Sequence, residues 1–131
     1  MDVHEVERLL RARRCSLTPQ RRAILRYLAD NDTHPTAADI FEAVTADFPI
    51  TSRATVYNTI ALLRELGVLS EVNLPGTEAR FDPNTAPHHH LRCVRCGQLT
   101  DIPTDRVRLE HDLPGEVRSA SVLFEGVCEG C

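Results

Sequence analysis

Cys93, Cys96, Cys128 and Cys131 form two C-x-x-C pairs. A C-x-x-C step lets two thiolates turn toward one metal ion. Two such steps make the tetrahedral four-sulfur set that Zn²⁺ accepts as a closed structural site. The chain must therefore fold so that two pairs far apart in sequence meet at one ion. A closed sulfur sphere leaves no position for a catalytic water. A redox pair of C-x-x-C motifs or a rubredoxin-like iron site uses the same residue types. Just ahead of the first pair lies His88-His89-His90, a second cluster of metal-ligand type.

The 131 residues suffice for one ordinary domain or two small ones. A small second domain buries little surface, so a metal staple there has a physical use. Apolar content of 42 % and charged content of 26 % read as a soluble globular protein. No apolar run approaches the roughly 20 residues a membrane span needs, and the opening residues do not read as a signal peptide. A cytoplasmic location is the expectation, and there paired cysteines serve metals or redox chemistry more often than permanent disulfides.

Net charge is −4 and every one of the 15 basic residues is arginine. Residues 1–82 carry 10 Arg against 12 Asp and Glu; the remainder carries 5 against 7. Neither half is basic. Nucleic-acid binding would need a locally placed arginine face, helped by a cation that neutralises carboxylates.

Periodicity supplies the architecture. Residues 2–14 place Val3, Val6, Leu9 and Leu10 at helical spacing. Thr18-Pro19 reads as an N-cap followed by proline at the first helical position, opening a helix with Ile24, Leu25 and Leu28 on one face. Thr36 with Asp39 resembles a capping box ahead of a third helix. Ser52 or Thr51 caps a fourth, which ends at Gly67 and buries Val56, Ile60, Leu63 and Leu66. Residues 68–74 alternate as a strand, Pro75-Gly76 turns the chain, and 77–82 return it. Helices followed by a β-hairpin are the order of a winged helix-turn-helix, with the helix before the hairpin as the DNA reader.

The expected class is therefore α+β: a winged-helix DNA-binding domain over 1–81, a proline-containing hinge over 82–87, and a small α/β domain over 88–131 stapled by the four cysteines. Within the latter, 88–93 and 97–103 read as strands, 104–111 as a short helix and 118–127 as a final strand.

In an extended segment His88 and His90 point to one side and His89 to the other. That spacing favours His88 and His90 as co-ligands and leaves His89 a bystander. Asp82 and Asp101 are candidate oxygen ligands, and His34, in Thr33-His34-Pro35, a candidate third nitrogen. His4, His111 and Cys15 have no sequence partners.

TPQRRAILRYL, THPTAADIFEAV, SRATVYNTIALLRELGVL, ARFD, HHHLRCVRCG and GVCEGC follow in the order and spacing of the ferric uptake regulator (Fur) family. The resemblance covers nearly the whole chain. It implies a homodimeric, metal-dependent transcription repressor, not an enzyme, with the four cysteines on structural Zn²⁺ and the C-terminal domain serving dimerisation. The pattern is most similar to the peroxide-responsive branch, where three histidines and two aspartates hold Fe²⁺ or Mn²⁺: here His34, Asp82, His88, His90 and Asp101. Iron-sensing members usually carry glutamate at Asp82 and arginine at Asn58. By the same resemblance Arg21, Arg22 and Arg53 hold the DNA backbone, Thr55, Tyr57 and Asn58 face the major groove, and His34 or His88 is the histidine oxidised by peroxide.

Two departures stand out. The stretch between Asp101 and Cys128 is shorter than the family's, which trims the dimerisation helix. SASVLF carries no His or Glu, so no third metal site is expected. The rival within the class is an iron-, manganese- or zinc-responsive repressor that does not sense peroxide. A metalloenzyme lacks an added general base or nucleophile and leaves the reading helix unexplained; a zinc-stapled interaction module would be indifferent to a regulatory metal.

Overall fold

The computed structural model describes all residues, Met1–Cys131, and divides into two compact units, Met1–Thr85 and Ala86–Cys131.

The first unit holds α1 (Val3–Ala12), α2 (Pro19–Ala29), α3 (Ala37–Asp47), α4 (Arg53–Glu65), β1 (Ser70–Val72) and β2 (Arg80–Asp82). Each helix starts where a side chain relieves orphan backbone donors. Asp2 accepts from the His4 amide at 3.0 Å and the Thr18 side chain from Arg21 N–H. Thr36 and Asp39 form a reciprocal capping box, and Ser52, rather than Thr51, caps α4. At the far end of α4, Gly67 has φ +73 and Val68 N–H bonds to Leu63 O at 3.2 Å. That is a Schellman stop, which needs a residue without a Cβ.

The helices bury Leu10, Ile24, Leu25, Leu28, Ile40, Val44, Val56 and Leu63, joined by Leu69 and Phe81 from the hairpin. Each such side chain contributes about 1.5–3 kcal/mol by burial. Strands β1 and β2 pair antiparallel, Ser70 opposite Asp82 and Val72 opposite Arg80. Between them Thr77 N–H returns to Leu74 O over Pro75-Gly76, with Gly76 at φ +77, the position a type II turn assigns to glycine. Both strands are shorter than expected, three residues each.

The second unit is a three-stranded sheet in the order β4-β3-β5, built from β3 (His88–Cys93), β4 (Leu99–Pro103) and β5 (Leu123–Gly126). β4 runs antiparallel to β3 and β5 parallel to it. The expected helix over 104–111 is reduced to a 3₁₀ turn, Thr104–Arg106, and no element follows before Leu123. Val107 and Leu109 are two apart rather than at helical spacing, and Pro114-Gly115 cuts the segment short. Too few residues remain to nucleate a helix without tertiary support. The final strand also shrinks from 118–127 to four residues, because Ser119-Ala120-Ser121 offers nothing to bury.

Candidate metal centres and the outer face of the reading helix

In the second unit the four cysteine sulfurs converge. Sγ–Sγ separations are 3.8 Å for Cys93–Cys131, 3.7 Å for Cys96–Cys128 and 3.4 Å for Cys128–Cys131. A tetrahedron with metal–sulfur bonds of about 2.3 Å has sulfur–sulfur edges of about 3.8 Å, so the donor set fits a tetrahedral thiolate-bound ion. The backbone supports one thiolate in advance. N–H groups of Cys96 and Cys128 donate to Cys93 Sγ at 3.5 and 3.4 Å and hold that thiol down at about 5. Cys131, hydrogen-bonded to the Cys128, Cys96 and Cys93 thiols, is pushed up to about 12. Cys96 is also raised: the Gln98 amide pulls it down, and hydrogen bonding to Cys93 and Cys128 outweighs it. The set therefore needs a cation to become four thiolates at neutral pH.

The same hairpin that presents Cys93 and Cys96 presents the histidines. β3–β4 register puts His90 opposite Asp101, and His88 lies on the same face two residues away. His88 and His90 Nε2 are 3.0 Å apart, and both reach Asp101 Oδ1, at 3.3 and 3.2 Å. Ala86 O lies 2.6 Å from His88 Nδ1. A carbonyl only accepts, so Nδ1–H donates to it, which leaves Nε2 as the ring atom that faces Asp101 and His90 and could bind an ion. Metal-binding histidines are oriented by such a second hydrogen bond. His89 is on the opposite face, buried, with Nδ1 accepting Val122 N–H at 2.9 Å; it pins the start of β5.

The first unit contributes a buried pair. His34 Nε2 lies 3.3 Å from Asp82 Oδ2, and both side chains are about 4 % exposed. Phe81 N–H donates to Pro35 O at 2.9 Å and Thr36 bridges Arg80, so the loop before α3 is strapped to β2. Asp82 Oδ1 accepts Asn84 N–H at 2.9 Å. His34 sits at φ 56, a left-handed conformation that non-glycine residues hold only where their surroundings over-determine it. His4 and His111 join no cluster of donors, and Cys15 remains apart from the other thiols.

Of the side chains expected on DNA, Tyr57 and Asn58 are exposed on α4. Thr55 Oγ1 lies 2.9 Å from Ser52 Oγ within the cap, and the Arg53 guanidinium lies 4.6 Å over the Phe41 ring. Arg21 donates to Ser16 O at 2.7 Å, and Arg22 Nε is 3.4 Å from Glu7 Oε1. Arg64, outward on the same helix, is taken by Glu71 at 2.7 Å. Sequence reasoning missed the densest run of positive charge. Residues 8–26 hold seven arginines and no carboxylate, and Arg8, Arg11, Arg13 and Arg14 are exposed. A windowed charge count would have found it; whole-half totals hid it. Also missed were the Ala86 carbonyl and the His34 backbone, which carry no sequence signature.

Comparison with known proteins agrees with this construction. The model of the ferric uptake regulator family matches residues 13–116. The peroxide-responsive repressor PerR of Staphylococcus aureus is 35 % identical over 136 aligned residues, covering 98 % of this chain and 92 % of that one. The solved structure of the Helicobacter pylori ferric uptake regulator Fur, described as having three functional metal-binding sites, superposes with a TM-score of 0.78 at 17 % identity, covering 100 % of this chain and 94 % of that one. A structure of GAS PerR in a Zn-Zn form gives a TM-score of 0.60 at 26 % identity, covering 98 % and 86 %. No helix here is long and apolar enough to cross a membrane. Members of the matched family are metal-responsive transcriptional repressors that bind DNA as dimers and are not enzymes. On the family match and the near full-length relative together, this chain belongs to the ferric uptake regulator family.

Proposed function

We propose that this repressor senses hydrogen peroxide through a regulatory Fe²⁺ held by His34, Asp82, His88, His90 and Asp101, with Mn²⁺ as an unreactive substitute and Zn²⁺ on the four cysteines. The observation that carries the reading is the donor chemistry: three imidazoles and two carboxylates, with no thiolate among them, suit Fe²⁺ or Mn²⁺ rather than a closed sulfur site. The identity to a peroxide-responsive repressor supports the same choice.

The protein's part is to orient donors. Ala86 fixes the His88 tautomer and the strap from Pro35 to Phe81 fixes His34. Because the donors come from both units, ion occupancy is linked to their arrangement. The ion favours whichever arrangement lets all five reach it, and that is the DNA-binding state of a homodimer. Fe²⁺ held by these residues would supply the redox chemistry that splits the peroxide O–O bond. His34 or His88, whose rings would hold the ion, would be the group oxidised, gaining one peroxide oxygen at a ring carbon while the other is released as water. An oxidised ring is a poorer ligand, so the site empties and DNA is released. Tyr57, Asn58 and Thr55 would read bases, with Arg21, Arg22 and Arg53 on phosphates. The expected location is the cytoplasm.

The test is to load the protein with Fe²⁺ or Mn²⁺, add peroxide, and measure peptide masses and operator binding. The expected result is one added oxygen on the His34 or His88 peptide of the iron form, with loss of DNA binding, and no change in the manganese form. Metal-dependent DNA binding that peroxide leaves untouched would establish the rival, a metal-responsive repressor without oxidant sensing.

A further inference from the structure

Arg53 is the first residue of α4, where a helix presents its positive end, so its charge does nothing for the helix it opens. Its side chain is exposed and makes no hydrogen bond or ion pair within the chain. Other arginines of the first unit are engaged inside the protein: Arg64 by Glu71, Arg22 by Glu7 and Arg21 by Ser16 O. Arg53 instead lies over the Phe41 ring, 4.6 Å from its centre.

Phe41 belongs to α3, and its ring packs against the helical core. The turn 48–52 joins α3 to α4, and Thr51 N–H closes it on Phe48 O at 3.0 Å. The cation–ring contact crosses that turn and ties the start of the reading helix to the helix before it. A cation over an aromatic face is held by the ring's quadrupole and not by acceptor atoms. The N–H donors of the guanidinium therefore stay available, and their planar fork fits two oxygens of a phosphate. A free arginine gives up rotamer freedom when it binds; one already held by a ring gives up less.

We propose that Phe41 is a positioning residue for DNA binding: its ring holds the Arg53 guanidinium at the start of α4, where it takes a backbone phosphate. This rests on the reading of Arg53 as a phosphate contact. Phosphate contacts carry no sequence information, so Phe41 raises affinity for all duplexes alike and leaves base preference to Thr55, Tyr57 and Asn58.

The test is a double-mutant cycle on full-length protein loaded with zinc and Mn²⁺, using a duplex selected from random-sequence DNA by the parent protein. Arg53→Ala should weaken binding and lower the slope of log affinity against log salt by about one. An unchanged affinity and slope would remove Arg53 from the DNA, and the proposal with it. Phe41→Leu keeps an apolar side chain against the core and removes the ring. It should weaken binding about two- to fivefold, the equivalent of an exposed cation–ring contact, on the selected duplex and on an unrelated one. Phe41→Tyr, which keeps a ring, should retain parent affinity. In the Arg53→Ala background Phe41→Leu should have no further effect. Equal loss in both backgrounds means that the ring serves only the packing of α3; it overturns the proposal and leaves the Arg53 phosphate contact standing. Full affinity in Phe41→Leu overturns it likewise. NMR of the parent protein gives a measure that needs no variant. The ring should shift the Arg53 side-chain protons upfield, and the shift should persist when the duplex is added. Its disappearance in the complex would show that DNA takes Arg53 off the ring, which also overturns the proposal.

Discussion

The two units solve the problem of staying folded in different ways. The first encloses thirteen apolar side chains, from Val6 to Phe81, whereas the only buried apolar groups of the second are Cys93 and Leu99. A 46-residue piece with so small a core cannot offset the entropy of ordering its chain by burial alone. The four sulfurs bring the β3–β4 turn against the stretch after β5, and an ion held there is expected to supply the missing stability. Of the donors proposed for the regulatory ion, His88, His90 and Asp101 belong to that tied sheet, while His34 and Asp82 belong to the well-filled first unit. The proposed five-donor set would therefore rely on two unlike sources of rigidity.

Removal of the ion from the cysteines is the strongest way to break the comparison. Zinc bound to such a set is worth about 10–16 kcal/mol at pH 7 in small zinc domains. Chelation, or Cys93→Ser, should abolish hydrogen-exchange protection in β3, β4 and β5 while α2 and α4 keep theirs. Equal loss in both units would mean that the first also depends on the metal. Retention in both would show that the second has a core the buried side chains do not reveal.

A smaller effect sharpens the same point through protons. In the metal-free sheet Cys131 is raised to about 12 and Cys96 is raised above its ordinary 9.0, so both are protonated at pH 7. Cys93, lowered to about 5, is already a thiolate. Contributions from both raised groups are fully present below pH 9; that of Cys131 fades as pH climbs toward 12, and that of Cys96 as pH rises above 9. That of Cys93 is fully present above pH 9 and is lost as pH falls through 5. Zinc binding takes only thiolates, so at pH 7 it should release at least two protons, and affinity should rise with pH. Calorimetry of zinc binding in buffers of different ionisation enthalpy counts them. A count near zero would mean that the thiols are not held protonated by one another.

How much of this was legible follows from how local each cause is. Thr18-Pro19, Thr36 with Asp39, Ser52 and Gly67 act within one helical turn, and all are at work where the sequence places them. The face shared by His88 and His90 follows from strand alternation alone. The helix over 104–111 failed because its support had to come from elsewhere. A propensity with no partner face does not hold eight residues helical. The His34 backbone was hidden for the opposite reason. A residue before proline is biased toward extended conformations, and here the strap from Pro35 to Phe81 overrides that bias.

That strap also supports the gentlest prediction. Thr36 is the N-cap of α3, bridges Arg80, and stands two residues from His34. Its Oγ1 accepts Asp39 N–H at 3.1 Å, and Asp39 Oδ2 accepts Thr36 N–H at 3.0 Å. Thr36→Ala should cost the first unit about 1 kcal/mol. Ser52→Ala removes an equivalent cap from α4 and should cost a similar amount, but Ser52 has no part in the strap. If the filled core alone holds the His34–Asp82 pair, both variants keep the parent Mn²⁺ affinity. If the cap and strap hold His34 in its left-handed conformation, only Thr36→Ala loses affinity, by up to about fivefold for the same 1 kcal/mol. Thr36→Ser, which keeps the hydroxyl, restores it. We expect the second outcome, because burial fixes where a side chain lies but does not by itself keep a non-glycine residue at positive φ.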